Sequence, residues 1–352
     1  MSTIPHTVPG LWPPVSDVRF ASRIETDVAA FVRGRSSDAE PALALLGLPD
    51  DTGVALNRGR VGAAAGPGAF RAALARYGGS YDLERDAEAT VPVVDAGDVR
   101  PARGDGEEAL LETHQRVEEA AAALYAAGLT PVFIGGGHDL TLPTVRAFAK
   151  AVGGSAAGGG VGGDGAAGGG SVGGINVDAH LDVRERVGSG MAFRRLLDEG
   201  RIGVRRFVTF GAARFVHEAE HVRWLQGLGA TVIGVERARA DESEIDRAFG
   251  LAEGRAADGR ATESGDGGSR CFVTLDLDAI DVAHAPGVSA TNPAGLDVRT
   301  VTAIAERAGR SPAVGHFDLM ELSPPHDTDG RTARLAALLF LHFVAGFAQR
   351  PA

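Results

Sequence analysis

Cysteine is almost absent: the chain has one, Cys271, in 352 residues. No intrachain disulfide can form, and the flanking run CFVTL predicts a buried strand residue rather than a nucleophile. Positive charge is short as well. Against 46 aspartates and glutamates stand 35 lysines and arginines, a formal net charge of −11. That balance disfavours nucleic acid or an anionic membrane as a partner. Long apolar runs are missing too. The most apolar stretch, LAALLFLHFVAGFA, is 14 residues long, too short to span a bilayer, and predicts a buried helix. The first residues, MSTIPHTVPGLWPP, lack a basic segment followed by an apolar one, so no signal peptide is expected. These shortages lead us to expect a soluble cytoplasmic protein with no nucleic-acid and no membrane partner; a small-molecule substrate and a homo-oligomer are expected as well.

What is present is a core and a pattern. Hydrophobic residues make up 44% of the chain, enough for one large α/β domain or two smaller ones. Short β-like runs (42–49, 91–97, 131–137, GGINVD, RFVTFGA, TVIGV, 271–278 and 313–320) alternate with helical stretches near 66–78, 106–127, 141–152, 242–252, 298–309 and from 331. Alternation of this kind predicts a mostly parallel sheet covered on both faces. We expect an N-terminal segment, 1–41, and a single domain, 42–352. Two low-complexity tracts, 153–174 and 253–270, read as flexible insertions, because so little apolar side chain cannot offset the ordering entropy.

Three strand ends carry candidate chemistry. INVDAHLDVR places Asp178, His180 and Asp182 two residues apart. On an extended segment their side chains would point the same way. Crowded carboxylates repel by about 4 kcal/mol per unit-charge pair at ~4 Å and an effective dielectric of ~20, unless a cation sits among them. PVFIGGGHD adds His138, and CFVTLDLDAID adds Asp276 and Asp278. Alone, each motif also fits a loop histidine, a turn or a solvated strand end. Together, each following an apolar strand, they point to one ligand site beyond the carboxyl ends of a parallel sheet. Two imidazoles and four carboxylates without a thiolate suit a hard ion such as Mn2+. Six ligands are too many for one ion with an open position. They suit two ions that share carboxylates and acidify one water.

Through GGGHD, NVDAHLDVR, TLDLDAID and MELSPP, the chain resembles the manganese ureohydrolases (arginase, agmatinase and formimidoylglutamase) over about 42 to 349. The resemblance implies a three-layer α/β/α sandwich with a mostly parallel eight-stranded sheet and two Mn2+ per subunit. His138, Asp178, Asp182 and Asp276 would hold one ion. Asp178, His180, Asp276 and Asp278 would hold the other, with Asp178 and Asp276 bridging. Glu321 of MELSPP matches the residue used against an amidinium or guanidinium. Arginases and agmatinases carry a histidine soon after DAHxD, where this chain has Ser189 in VGSGMAFRR. SGMAF, APGVSA, GVALNRGRVGAAAGP and DTDGRTARLAA are similar to the formimidoylglutamase pattern.

That branch implies hydrolysis of N-formimidoyl-L-glutamate to L-glutamate and formamide. Asp182 and Glu321 would be the catalytic pair: Glu321 orients the amidinium and Asp182 passes a proton to the leaving amine. The substrate carboxylates need cationic or donor partners. Arg184, Arg186, Arg194 and Arg195 are close in sequence, and we expect Arg194 to serve, together with Asn292 and Ser189. Asp139 and Asp281 are assigned supporting hydrogen bonds. His284, His316 and His326 lack ligand spacing and default to structural or solvent roles. Two other readings stand beside this one. The first is a hydrolase of guanidino compounds, with Ser189 or another group replacing the histidine. The second is a non-catalytic metal-binding homologue acting as an assembly subunit, against which the intact ligand set and Glu321 argue.

Overall fold

The sheet forms from eight short, mostly apolar runs of the chain, the central ones buried on both faces. The computed structural model describes residues 4–36, 39–79, 81–154, 172–255 and 270–351. Its strands are β1 (Thr7–Val8), β2 (Leu43–Leu48), β3 (Tyr81–Asp82), β4 (Ala87–Glu88), β5 (Val93–Val99), β6 (Thr130–Gly135), β7 (Val172–Val177), β8 (Ile202–Ala212), β9 (Thr231–Gly234), β10 (Cys271–Asp276) and β11 (Val314–Met320). Nine of them form one sheet in the order β1-β5-β2-β6-β11-β10-β7-β8-β9, while β3 and β4 pair separately. Every neighbouring pair from β5 to β9 is parallel. The expected eight parallel strands are therefore present. The two-residue β1, from the N-terminal segment, adds an antiparallel edge on β5.

Side-chain alternation sorts each strand between two helical layers. Leu43 and Leu45 pack with Phe70, Leu74 and Phe340. Ala44, Leu46 and Leu48 face the other way, against Val117, Ala120 and Leu124. A strand buried on both faces reads as a continuous apolar run, which is why β2 reads LALLGL. Helices Gly66–Leu74, Ser243–Ala252, Val298–Arg310 and Arg331–Phe347 cover the first face. Helices Glu107–Ala126, Thr141–Gly154 and Ala192–Asp198 cover the second. This is the α/β/α sandwich. The apolar run 335–348 supplies the buried stripe of the last helix, including Leu335, Leu339, Phe343 and Phe347. Each such side chain contributes about 1.5–3 kcal/mol on burial. Among the described residues no helix is long and apolar enough to cross a membrane.

Polar residues also line up inside the sheet. Asp318 on β11, Thr274 on β10, Asn176 on β7 and Thr209 on β8 stand in register across four neighbouring strands. All four are fully buried.

Cys271 is buried in β10, as expected, and burial pushes its thiol up to about 12. The insertion at 153–174 is narrower than its composition suggests. Its first residues finish helix Thr141–Gly154, and Val172–Gly174 begin β7. The rest, 155–171, lies outside the described residues, as does 256–269 of the second tract. The helix Val235–Ala240 and the β3–β4 pair were not expected. The helix is six residues long, too short for its periodicity to register, and each of the two strands has only two residues.

Candidate active site and metal centre

Four adjacent strand ends, β6, β11, β10 and β7, deliver the candidate residues to one place. After β6 the chain runs through Gly136 and Gly137 into a single turn, His138–Leu140. A Cβ on Gly136 would meet Asp50 O at 1.9 Å. The glycine is needed for this close approach, which lets the loop pass under the 50–52 segment and turn His138 inward.

The aspartate pairs converge for a reason other than strand alternation. β7 ends at Val177, so Asp178, His180 and Asp182 are not on an extended segment. Asp178 Oδ1 accepts from His180 N at 2.6 Å, folding the chain into a tight turn. Asp182 has a φ of +49°, in the left-handed region. Asp276 is the last residue of β10, and its Oδ1 accepts from Asp278 N at 2.7 Å. Asp278 then lies in the single turn Leu277–Ala279. Turns closed by aspartate side chains set the geometry, which corrects the strand-face argument.

All six expected ligands meet. His138 Nδ1 lies 3.2 Å from Asp178 Oδ2, 3.0 Å from Asp182 Oδ2 and 3.1 Å from Asp276 Oδ2. His180 Nδ1 lies 3.1 Å from Asp278 Oδ2 and 3.5 Å from Asp178 Oδ1. Two ligand clusters result, His138–Asp178–Asp276 and Asp178–His180–Asp278, and Asp178 belongs to both. Electrostatics shows what the arrangement needs. Burial and the neighbouring carboxylates Asp278 and Asp178 hold the Asp276 carboxyl well above its ordinary range. Burial raises Asp278 to about 6. Asp278 and Asp178 raise His180 to about 12, although burial opposes them. Buried carboxylates that cannot ionise normally, beside a buried His138 Nδ1 with no well-formed hydrogen bond, are groups that divalent cations would satisfy. The all-oxygen and nitrogen donor set fits a hard ion.

Glu321 closes the site. It follows β11 with a φ of +66°, and its Oε1 accepts from His138 N at 3.0 Å. Oε2 is buried, and burial pushes the carboxyl up to about 8, although the Ser289 side chain in the same cavity wall pulls it down. A cavity of about 140 Å³ joins Glu321 to His138, His180, Asp182, Arg184 and Ser189. Ser189 is held in its wall by Asn57. With the Asn57 amide oxygen facing the loop, it accepts from Ser189 Oγ at 2.9 Å, Ser189 N at 3.2 Å and Gly190 N at 3.0 Å.

Two expected substrate contacts are not brought here. Arg194 pairs with Glu185 at 3.0 Å and with Asp198 at 2.9 Å, and lies 4.2 Å from the Trp224 ring centroid. Those three partners hold its guanidinium away from the cavity. Asn292 bridges to Asp281 and caps its own turn, its Oδ1 accepting from Ala294 N at 3.2 Å. Arg184 is the arginine in the cavity wall instead, and Asn57 was not foreseen at all. Asp139 does make a supporting contact, 2.7 Å from His114 Nε2.

Comparison with known proteins agrees with this geometry. The arginase family model matches residues 41–346. A formimidoylglutamase of Chromobacterium violaceum is 33% identical over 312 residues, covering 88% of this chain and 89% of its own. One from Aromatoleum aromaticum is 33% identical over 329 residues, 91% of this chain and 87% of its own. The crystal structure of Trypanosoma cruzi formiminoglutamase with Mn2+ superposes with a TM-score of 0.74 at 32% identity, over 90% of this chain and 97% of that one. With its sheet order, its paired His/Asp clusters and a family match over nearly the whole length, the chain belongs to the arginase family.

Proposed function

We propose that this protein hydrolyses N-formimidoyl-L-glutamate to L-glutamate and formamide, with two Mn2+ ions in the centre described above. In this reading His138, Asp178, Asp182 and Asp276 hold one ion, and Asp178, His180, Asp276 and Asp278 hold the other. When bound, the ions would supply an acidified water as the nucleophile at neutral pH. The protein's own groups do the rest. Glu321 offers its carboxylate, in the cavity lining, to the amidinium N–H groups and holds the electrophilic carbon in place. A substrate cation beside it would draw its raised carboxyl down and keep it ionised. Asp182, at the cavity edge, is placed to pass a proton to the departing amine of glutamate. Arg184 is the cation available for a substrate carboxylate, and Ser189 Oγ lines the same wall.

The observation that carries this reading is the shared cavity: members of both His/Asp clusters, a buried carboxylate for an amidinium and one arginine for a carboxylate line the same 140 Å³. The formimidoylglutamase relatives support the same substrate. A guanidino substrate is less favoured, because Ser189 occupies the place of the histidine and is tied to Asn57. We also infer a cytoplasmic homo-oligomer. A lone buried cysteine suits a reducing compartment, and exposed Leu83 and Phe215 offer apolar contacts to a second copy.

The test is to incubate the Mn2+-loaded protein with formimidoylglutamate, agmatine, arginine and guanidinobutyrate, assaying formamide against urea. Formamide release from the first alone is expected. Arg184→Ala should raise KM about 10–100-fold with a smaller effect on kcat, the signature of lost carboxylate binding. Urea from any guanidino compound at a comparable rate would overturn the assignment.

A further inference from the structure

The row of buried polar side chains beneath the metal centre has no part in the mechanism above. An unpaired hydroxyl or carboxylate there would cost about 1–3 kcal/mol or more. Two members of that row, Thr274 and Asp318, are instead joined in a chain with residues above and behind them. His138 Nε2 lies 3.0 Å from Thr274 Oγ1, and Thr274 Oγ1 lies 3.3 Å from Thr141 Oγ1. Thr141 Oγ1 donates to Asp318 Oδ2 at 3.0 Å. From the far side, His316 Nε2 reaches the same Asp318 Oδ2 at 2.9 Å, and Tyr125 OH lies 2.8 Å from His316 Nδ1.

Chemistry fixes the direction of each proton. His138 Nδ1 faces three carboxylates, so a metal-binding ring carries its proton on Nε2 and donates to Thr274. The Thr274 hydroxyl then donates to Thr141, and Thr141 donates to Asp318. Burial and the charge of Asp318 hold the Tyr125 hydroxyl protonated. It donates to His316 Nδ1, which leaves Nε2–H for Asp318. Every proton in the chain points toward one carboxylate.

We propose that Asp318 is the positioning residue for His138. It terminates a hydrogen-bond chain through Thr141 and Thr274 that fixes the tautomer of His138 and aims Nδ1 at the ion, while Tyr125 and His316 hold Asp318 from behind. The edge-on contact of Phe193, 5.6 Å from the His138 ring, limits tilt but cannot select a tautomer. The inference rests on the assignment of His138 as a metal ligand made above.

Thr141→Val cuts the chain without removing a charge or much volume, and Thr141→Ser restores it. Metal content of the full chain is measured across a Mn2+ titration, with activity followed in parallel. Thr141→Val should bind one of its two ions about 10–100-fold more weakly and regain turnover at high Mn2+, with Thr141→Ser within a few-fold of the parent. Tyr125→Phe, at the far end, should show a smaller loss of the same ion, and gives a second reading that does not depend on how Thr141→Val folds. His138→Asn marks the site and should hold one ion. If His138→Asn retains both, the metal assignment is wrong and this inference falls with it. If His138→Asn loses one while Thr141→Val and Tyr125→Phe bind like the parent, the chain is core packing and the inference alone is overturned.

Discussion

Replacing Asp178 with asparagine separates a shared ligand from a terminal one. Asp178 approaches His138 Nδ1 at 3.2 Å through one oxygen and His180 Nδ1 at 3.5 Å through the other. Asparagine keeps the shape and can still accept from His180 N, which now bonds Oδ1 at 2.6 Å. What it removes is one negative charge facing both clusters. A unit pair at ~4 Å is worth about 4 kcal/mol at an effective dielectric of ~20, and a dication doubles that. If relaxation and water recover half, each ion still loses about 4 kcal/mol, roughly a thousandfold in affinity. At micromolar Mn2+, Asp178→Asn should therefore carry neither ion and turn over near background. His138→Asn should keep one ion and a residual rate. Metal content after dialysis, measured beside single-turnover rates, is the assay. Two ions retained in Asp178→Asn would refute the shared-ligand geometry, as would loss of both in His138→Asn.

The metal-free protein should lose stability as pH rises from about 6.5 to 8. Glu321 is raised from 4.5 to about 8 and His180 from 6.5 to about 12. In that window the folded state binds more protons than the unfolded one, so the stability these groups contribute at low pH is withdrawn. Loading Mn2+ should expel protons from the imidazoles and flatten the slope. A Tm that is flat across this window without metal, or metal binding with no proton release in calorimetry across buffers, would contradict it. Away from the site, Arg71 is 2% exposed and donates to Asp95 at 2.8 and 2.9 Å and to Asp98 at 2.7 Å. Arg71→Met should cost about 3–5 kcal/mol, because it strands buried carboxylates. A urea midpoint close to the parent's would show that water reaches them.

The sheet and the convergence of the His/Asp side chains were legible because both depend on local sequence. Eight apolar runs give eight parallel strands, and each ligand motif sits just past one of them. The substrate contacts were less legible, since partners distant in sequence decide them. Arg194 and Arg184 are equivalent candidates by position. Arg194 is drawn off by Trp224, 30 residues further along the chain, by Glu185 and by Asp198. Asp198 stands four residues on within the same helix, and that i,i+4 spacing was the one available warning. Asn57 holds Ser189 across 132 residues of chain, a contact no motif announces. His316 lacks ligand spacing, and only the register of β11 beside β10 brings its strand neighbour Asp318 opposite Thr274.

Backbone conformation at Asp182 and Glu321, the two residues proposed to react, was the least legible feature, for a physical reason. Asp182 and Glu321 both have positive φ, +49° and +66°. A non-glycine residue in the left-handed region costs of order 1–3 kcal/mol unless its surroundings compel it. Aspartate enters that region more readily than most residues and glutamate does not, yet neither motif marks the position. The compulsion comes from elsewhere: Phe193 N donates to Asp182 O at 3.0 Å at the start of helix Ala192–Asp198, and Glu321 N donates to Gly136 O at 2.9 Å beside the glycine loop. The two residues assigned to proton transfer and amidinium binding are therefore held by the backbone of neighbouring segments against their own preference. Such a carboxylate reorganises little when substrate arrives. Its position was fixed during folding, by the same turns that gather the metal ligands.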